Sequence, residues 1–344
     1  IVMLRPLTMA DLSGPDRDHI PAQKMSQKNI HQEMAAAIWQ KIVTCLTLLR
    51  CVCKILLVVQ GYKGLAKDIK GYHLKRDIRA GYPTAWQITG SGSRAVLLLH
   101  CSLAMSSAWR GLLDEMAQSE HQFTMFDLPG HGESLKWDFR GAFHDVSTAV
   151  AASFLDKKMD LIGHSFGASV ALRLAVEHPD LVRSLTLIEP VIFSLGFAYE
   201  PASKKAFLQD HSEFDRAIAR DEFVGAARAF HQIWGSGQSW DRLPDKVQRG
   251  MVDKIHLIPA AASHVVEDAY GFCTAGLLEK IEAPVLLLQG SASSAPMPAV
   301  ISSLQSRLPY CLVKTLEGAG HMAPITHAKA TAAHIQSFLK NHPV

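Results

Sequence analysis

From about Gly81 onward, short apolar runs alternate with stretches whose apolar residues recur at helical spacing. The runs are TAWQI (84–88), AVLLLH (95–100), FTMFD (123–127), MDLIGH (159–164), SLTLIE (184–189), PVLLLQG (284–290) and CLVKTLE (311–317). Helical patterns fall near 106–118, 142–156, 166–178, 297–308 and 325–340. Continuous Val/Leu/Ile runs predict strands buried on both faces. Their alternation with helices predicts an α/β fold, a mostly parallel central sheet flanked by helices. The alternation stops between about 195 and 278. That stretch is helical in character and carries Phe207, Phe214, Phe223, Phe230, Trp234 and Trp240. It predicts an inserted helical lid. The expected organisation is an N-terminal extension over 1–80, a core over 81–194 and 279–344, and a cap over 195–278.

The pattern upstream is different. Residues 1–33 are polar. Over 36–60, Ile38, Ile42, Cys45, Leu46, Leu49, Cys53 and Leu56 form one helical stripe, interrupted by Lys41, Arg50 and Lys54. No apolar stretch reaches the ~20 residues of a spanning helix, so an amphipathic helix is expected. Six further cations lie between Lys63 and Arg79. Such a basic helix suits an anionic membrane surface. Packing against the body or a partner subunit, and translation of a non-coding stretch, remain alternatives. Met3, Met9, Met25 and Met34 are all candidate starts, and the polar beginning lacks the shape of a secretory signal.

Charge sharpens this division. Residues 1–85 hold 13 Lys+Arg against 6 Asp+Glu, and residues 86–344 hold 22 against 26. The body is mildly acidic and has no nucleic-acid footprint. Six scattered cysteines, with a Cys51-Val-Cys53 spacing that matches no zinc or thioredoxin pattern, predict a reducing, cytoplasmic setting. No ligand cluster with metal spacing is visible, and no metal or organic cofactor is implied.

The strongest local signal is LIGHSFGAS, in which Gly163-His164-Ser165-Phe166-Gly167 fits G-x-S-x-G. It follows an apolar strand and opens the helix GASVALRLAVEH, the strand–turn–helix setting this pattern needs. Three more stretches accompany it: AVLLLHCSLAMSSAW, FDLPGHGES (126–134) and LEGAGHMAP (316–324). Taken in order, the four stretches make the chain from about residue 82 to its end resemble an α/β-hydrolase fold enzyme. The branch resembled carries a helical cap after its sixth strand.

The resemblance implies Ser165 as nucleophile and His321 as the base that takes its proton. It also implies backbone amides of Ser102 and Phe166 as oxyanion donors. His100 and His131 would act in loop architecture. Cys101 replaces the usual glycine beside the oxyanion loop, so a narrowed pocket or a shifted loop is expected there. The thiol itself reads as packing.

One expected group is missing. The loop LLLQGSASSAPM (286–297) usually carries an aspartate in this family, yet no acidic residue occurs between Glu282 and Glu317. The acid could come from another strand, be replaced by water or serine, or have been lost with catalysis. Glu189 ends SLTLIE, 24 residues after Ser165, on the strand next to the nucleophile strand. Some members of the fold take their acid there, and the order Ser, Glu, His is kept. Glu189 is therefore the candidate acid and Asp127 the runner-up. The expected activity is a serine hydrolase acting on a small or medium acyl ester. Lactone, thioester or carbon–carbon hydrolysis, or a silent binding protein on the same fold, remain the alternatives.

Overall fold

The computed structural model describes residues 74–343. The amphipathic helix expected over 36–60 lies outside them.

Eight strands form one sheet: β1 (Lys75–Arg79), β2 (Tyr82–Thr89), β3 (Arg94–Leu99), β4 (His121–Phe126), β5 (Met159–His164), β6 (Val182–Ile188), β7 (Val285–Gly290) and β8 (Cys311–Leu316). Their spatial order is β1-β2-β4-β3-β5-β6-β7-β8. The pairs β1–β2 and β2–β4 are antiparallel; every pair from β4 to β8 is parallel.

In β3 to β7 the continuous apolar runs are almost wholly buried on both faces, as interior parallel strands must be; β8 is largely exposed. Leu97, Leu99, Leu161 and Leu287 enter one core cluster, while Val96, Leu98, Ile162 and Leu288 enter the other. Helices α2 (Phe143–Ala152), α3 (Phe166–Glu177) and α9 (Pro296–Arg307) cover the first face. Helices α1 (Arg110–Asp114) and α11 (Ala328–Asn341) cover the second. At the N-terminal end of β5, the fully buried Asp160 carboxylate accepts from Arg94, Arg183 and Ser184. A buried anion needs such partners.

Three local differences from the expected pattern have physical causes. β1 (KRDIR) has no apolar run, because it is a half-exposed edge strand. It turns into β2 through Ala80 and Gly81, with φ of 47° and 80°. A two-residue loop with both φ positive matches the twist of a hairpin. The helix expected over 106–118 is a 3-10 turn, Ser106–Trp109, followed by the short α1. The helix expected over 325–340 is two, α10 (Ala323–Thr326) and α11, broken where His327 leaves helical geometry at φ −129°, ψ 42°.

Between β6 and β7 the chain forms α4 (Phe193–Tyr199), α5 (Pro201–Ile218), α6 (Phe223–Trp234), α7 (Asp245–Val252) and α8 (Leu257–Val265). This segment has a small apolar cluster of its own, built on Phe214, Ala226, Trp240 and Ile255.

Candidate active site

Ser165 sits between the last residue of β5 and the first of α3. Its backbone is strained, with φ 56° and ψ −119°, outside the regions that non-glycine residues favour. The flanking glycines allow that turn to pack. A Cβ on Gly163 would lie 2.5 Å from Cα of Ala168, and one on Gly167 would lie 2.2 Å from the Leu99 carbonyl oxygen. The elbow stays tied to the sheet because the Ser165 amide donates to the Ile188 carbonyl at 2.9 Å.

Three side chains from three strand ends meet here. His321 Nε2 lies 2.9 Å from Ser165 Oγ. His321 Nδ1 lies 3.1 Å from Glu189 Oε2. A carboxylate accepts only, so Nδ1 carries the proton and Nε2 is left to accept from the serine hydroxyl. Glu189 follows β6 with φ 50° and is fully buried. Its backbone amide donates to the Leu288 carbonyl at 2.8 Å.

The end of β7 and the loop after it, which lacks an acid of its own, supply donors to Glu189. The Gly290 amide and the Ser293 hydroxyl each donate to Oε1 at 2.7 Å. The runner-up acid, Asp127, is engaged elsewhere. Its two carboxylate oxygens accept from the amides of Ser106 at 2.7 Å and Glu133 at 2.8 Å. It holds its own turn and the loop after β3.

Ser102 and Phe166 line the same cavity as Ser165 and His321. Phe166 is the first residue of α3, where an amide has no intrahelical acceptor. The Ser102 loop is latched by two bonds: the Leu103 amide donates to His131 Nε2 at 3.0 Å, and the Ser106 amide to Asp127. His131 in turn donates from Nδ1 to the Pro129 carbonyl, and burial holds its pKa well below the ordinary histidine value. His100 accepts from the Leu128 amide at 3.0 Å, and burial likewise lowers its pKa.

Cys101 does not border the main cavity. It lines a separate small one with His100, Trp109 and His164. Burial pushes its thiol up to about 12, which keeps it protonated.

Two further neighbours had no site role in the sequence, where His164 stood within the elbow motif and Trp234 among the lid aromatics. His164, inside the elbow, donates from Nε2 to the His321 carbonyl at 2.8 Å. Burial, then the nearby His321, pushes its pKa down to about 3. Trp234 on α6 meets the His321 ring edge to face, with centroids 4.8 Å apart. Its indole N–H donates to His211 Nε2 at 2.9 Å. The sequence showed only His164 beside Ser165 and Trp234 among the lid aromatics; both contacts are made by distant segments.

The cavity over Ser165 holds about 320 Å³. Phe193, Phe207, Phe214, Phe230 and Trp234 supply aromatic walls, and Val265 of α8 adds an aliphatic one. Among the described residues, no three His, Cys, Asp or Glu side chains converge to hold a metal ion. None of the described helices is long and apolar enough to cross a membrane.

The chain resembles several known proteins. It is 31% identical over 229 residues to a pimeloyl-[acyl-carrier protein] methyl ester esterase of Neisseria meningitidis serogroup A, covering 62% of this chain and 67% of that protein. Among solved structures, a membrane phospholipase A described as a bacterial virulence factor superposes with a TM-score of 0.60 at 21% identity, covering 90% of this chain and 98% of that one. The haloalkane dehalogenase DatA of Agrobacterium tumefaciens C58 superposes with a TM-score of 0.62 at 16% identity, covering 80% and 98%. At these identities the superpositions speak for the fold alone. A family model described as the alpha/beta hydrolase fold matches residues 94–328, and the chain belongs to the α/β-hydrolase fold family.

Proposed function

We propose that this protein is a serine carboxylic ester hydrolase, with Ser165 as nucleophile, His321 as general base and acid, and Glu189 as the group that orients His321. The observation that carries this reading is the continuous contact Ser165 Oγ–His321 Nε2 at 2.9 Å and His321 Nδ1–Glu189 Oε2 at 3.1 Å. It lies at the end of a mostly apolar cavity.

The reaction runs in two halves. Ser165 Oγ attacks the ester carbonyl while His321 Nε2 takes its proton. The negative charge that develops on the carbonyl oxygen is received by the amides of Ser102 and Phe166. Collapse breaks the bond to the alkoxy group, and His321 returns the proton to it as the alcohol leaves. A water then gives its proton to His321 and attacks the acyl-enzyme. The second collapse releases the acid and restores Ser165. Throughout, Glu189 keeps the proton-bearing nitrogen of His321 turned inward and stabilises the imidazolium.

The aromatic walls favour a small or medium apolar acyl group as the substrate's buried part. The esterase relatives support the ester class over lactone, thioester or carbon–carbon substrates. A cytoplasmic setting completes this reading.

The test is turnover of p-nitrophenyl acyl esters of increasing chain length by wild type and Ser165→Ala, with folding checked by circular dichroism. Wild type should turn over, with a chain-length optimum, and Ser165→Ala should lose about 10⁴-fold or more in kcat. No wild-type turnover on any ester, or equal turnover by the folded variant, would overturn the proposal.

A further inference from the structure

Glu189 is a fully buried carboxylate. A buried anion is tolerable only when its oxygens are supplied with donors. Oε2 faces His321, and Oε1 accepts from two groups, the Gly290 amide and the Ser293 hydroxyl, both at 2.7 Å. Those two bonds fix the plane of the carboxylate and so decide where Oε2 points.

One donor, Gly290, is the last residue of β7, and the other, Ser293, lies in the loop that follows it. The same loop grips the segment that bears His321. The Ser291 amide donates to the Leu316 carbonyl at 3.0 Å, and the Ala292 amide to the Ala319 carbonyl at 2.9 Å. Ser291 Oγ accepts from the Gly318 amide at 2.8 Å. Close approach is needed for this. A Cβ on Gly290 would lie 2.1 Å from the Ala319 oxygen and 2.9 Å from Ser293 Oγ. Four consecutive residues, 290–293, thus touch the acid on one side and the base-bearing segment on the other.

We propose that Ser293 is a positioning residue of the active site: its hydroxyl holds the Glu189 carboxylate in the orientation that engages His321, with Gly290 as its backbone partner. A loop without a carboxylate serves the reaction by seating a carboxylate that comes from the neighbouring strand. The inference rests on the Ser165–His321–Glu189 reading of the site.

The experiment compares wild type, Ser293→Ala, Ser293→Thr and Glu189→Gln on one p-nitrophenyl ester, reading kcat and KM separately, with a thermal melt of each. A lost hydrogen bond to a charged group predicts that Ser293→Ala lowers kcat by about 10- to 100-fold. KM should stay within about two-fold, because Ser293 does not line the substrate cavity. Ser293→Thr, which keeps the hydroxyl, should restore kcat to within a few-fold. Should Ser293→Ala fail to fold, Ser293→Cys, nearly isosteric with a far weaker donor, replaces it and should show the same loss. Wild-type kcat in Ser293→Ala, or equal slowing in Ser293→Thr and Ser293→Ala, would overturn the role of Ser293. Wild-type kcat in Glu189→Gln would instead overturn the reading of Glu189 itself.

Discussion

Ser165 and Glu189 both hold positive φ, 56° and 50°, and each stands at the end of a neighbouring parallel strand. Such backbone states cost of order 1–3 kcal/mol each and persist only where the surroundings enforce them. At Ser165 the enforcement is visible in Gly163 and Gly167, whose missing side chains let α3 close against β5 and the end of β3. Gly167→Ala would drive a methyl to 2.2 Å from the Leu99 oxygen. It should destabilise the fold by more than about 4 kcal/mol, the range of severe core strain. Gly111→Ala meets only the Ala328 methyl at 3.9 Å and should change stability by no more than about 1 kcal/mol. Chemical denaturation of the two variants side by side checks this; a mild effect at Gly167 would contradict the packing account. The glycine spacing and Ser165 were legible in the sequence because the elbow is a local structure. Glu189 was legible only through its distance from Ser165 and its place at a strand end. The contributions of Ser293, His164 and Trp234 were not legible, since each depends on a partner from a distant segment.

At the scale of elements, the sequence announced what hydrophobic periodicity controls. Strands β3 to β7 carry apolar runs because each has a neighbour on both sides in the sheet and helices over its faces. β8 has a neighbour on one side only, and its Leu312, at 44% exposed, shows the cost of an edge. β1 escaped notice for the opposite reason. Its residues are charged and its place is fixed by a tight hairpin, so no apolar run marks it. The break at His327 and the shortening after Ser106 are set by how the chain packs on the sheet, which periodicity does not encode. The inserted helices show the same division. Their helical character was readable, but the role of any one aromatic was not. Trp234 reaches the cavity and His321, while Trp240 packs inside the segment's own core.

Among the described residues, five buried histidines with lowered pKa predict how the folded protein responds to acid. Burial pushes His144 and His164 each to about 3 from an ordinary value of 6.5. Burial also lowers His100, His131 and His211. In the unfolded chain these rings take up protons near pH 6.5, whereas in the folded protein His144 and His164 do so only near pH 3. Between those values the unfolded state binds more protons, so stability rises with pH and is lost on acidification. His144 stacks on His264 of α8 with centroids 4.8 Å apart, a contact between the body and the inserted helices. The thermal midpoint should be level above about pH 7 and fall steadily as the pH drops from 6.5 towards 4; a midpoint constant over that range would contradict this. In the proposed site an acid, a base and a nucleophile are gathered from three strand ends. The most direct test is covalent labelling of Ser165 by an organophosphonate, located by peptide mass spectrometry and timed in wild type and Glu189→Gln. One label per chain is expected, on the peptide containing Ser165, with labelling slowed at least about 100-fold in Glu189→Gln. Labelling at another residue, or at the same rate without the carboxylate, would contradict it.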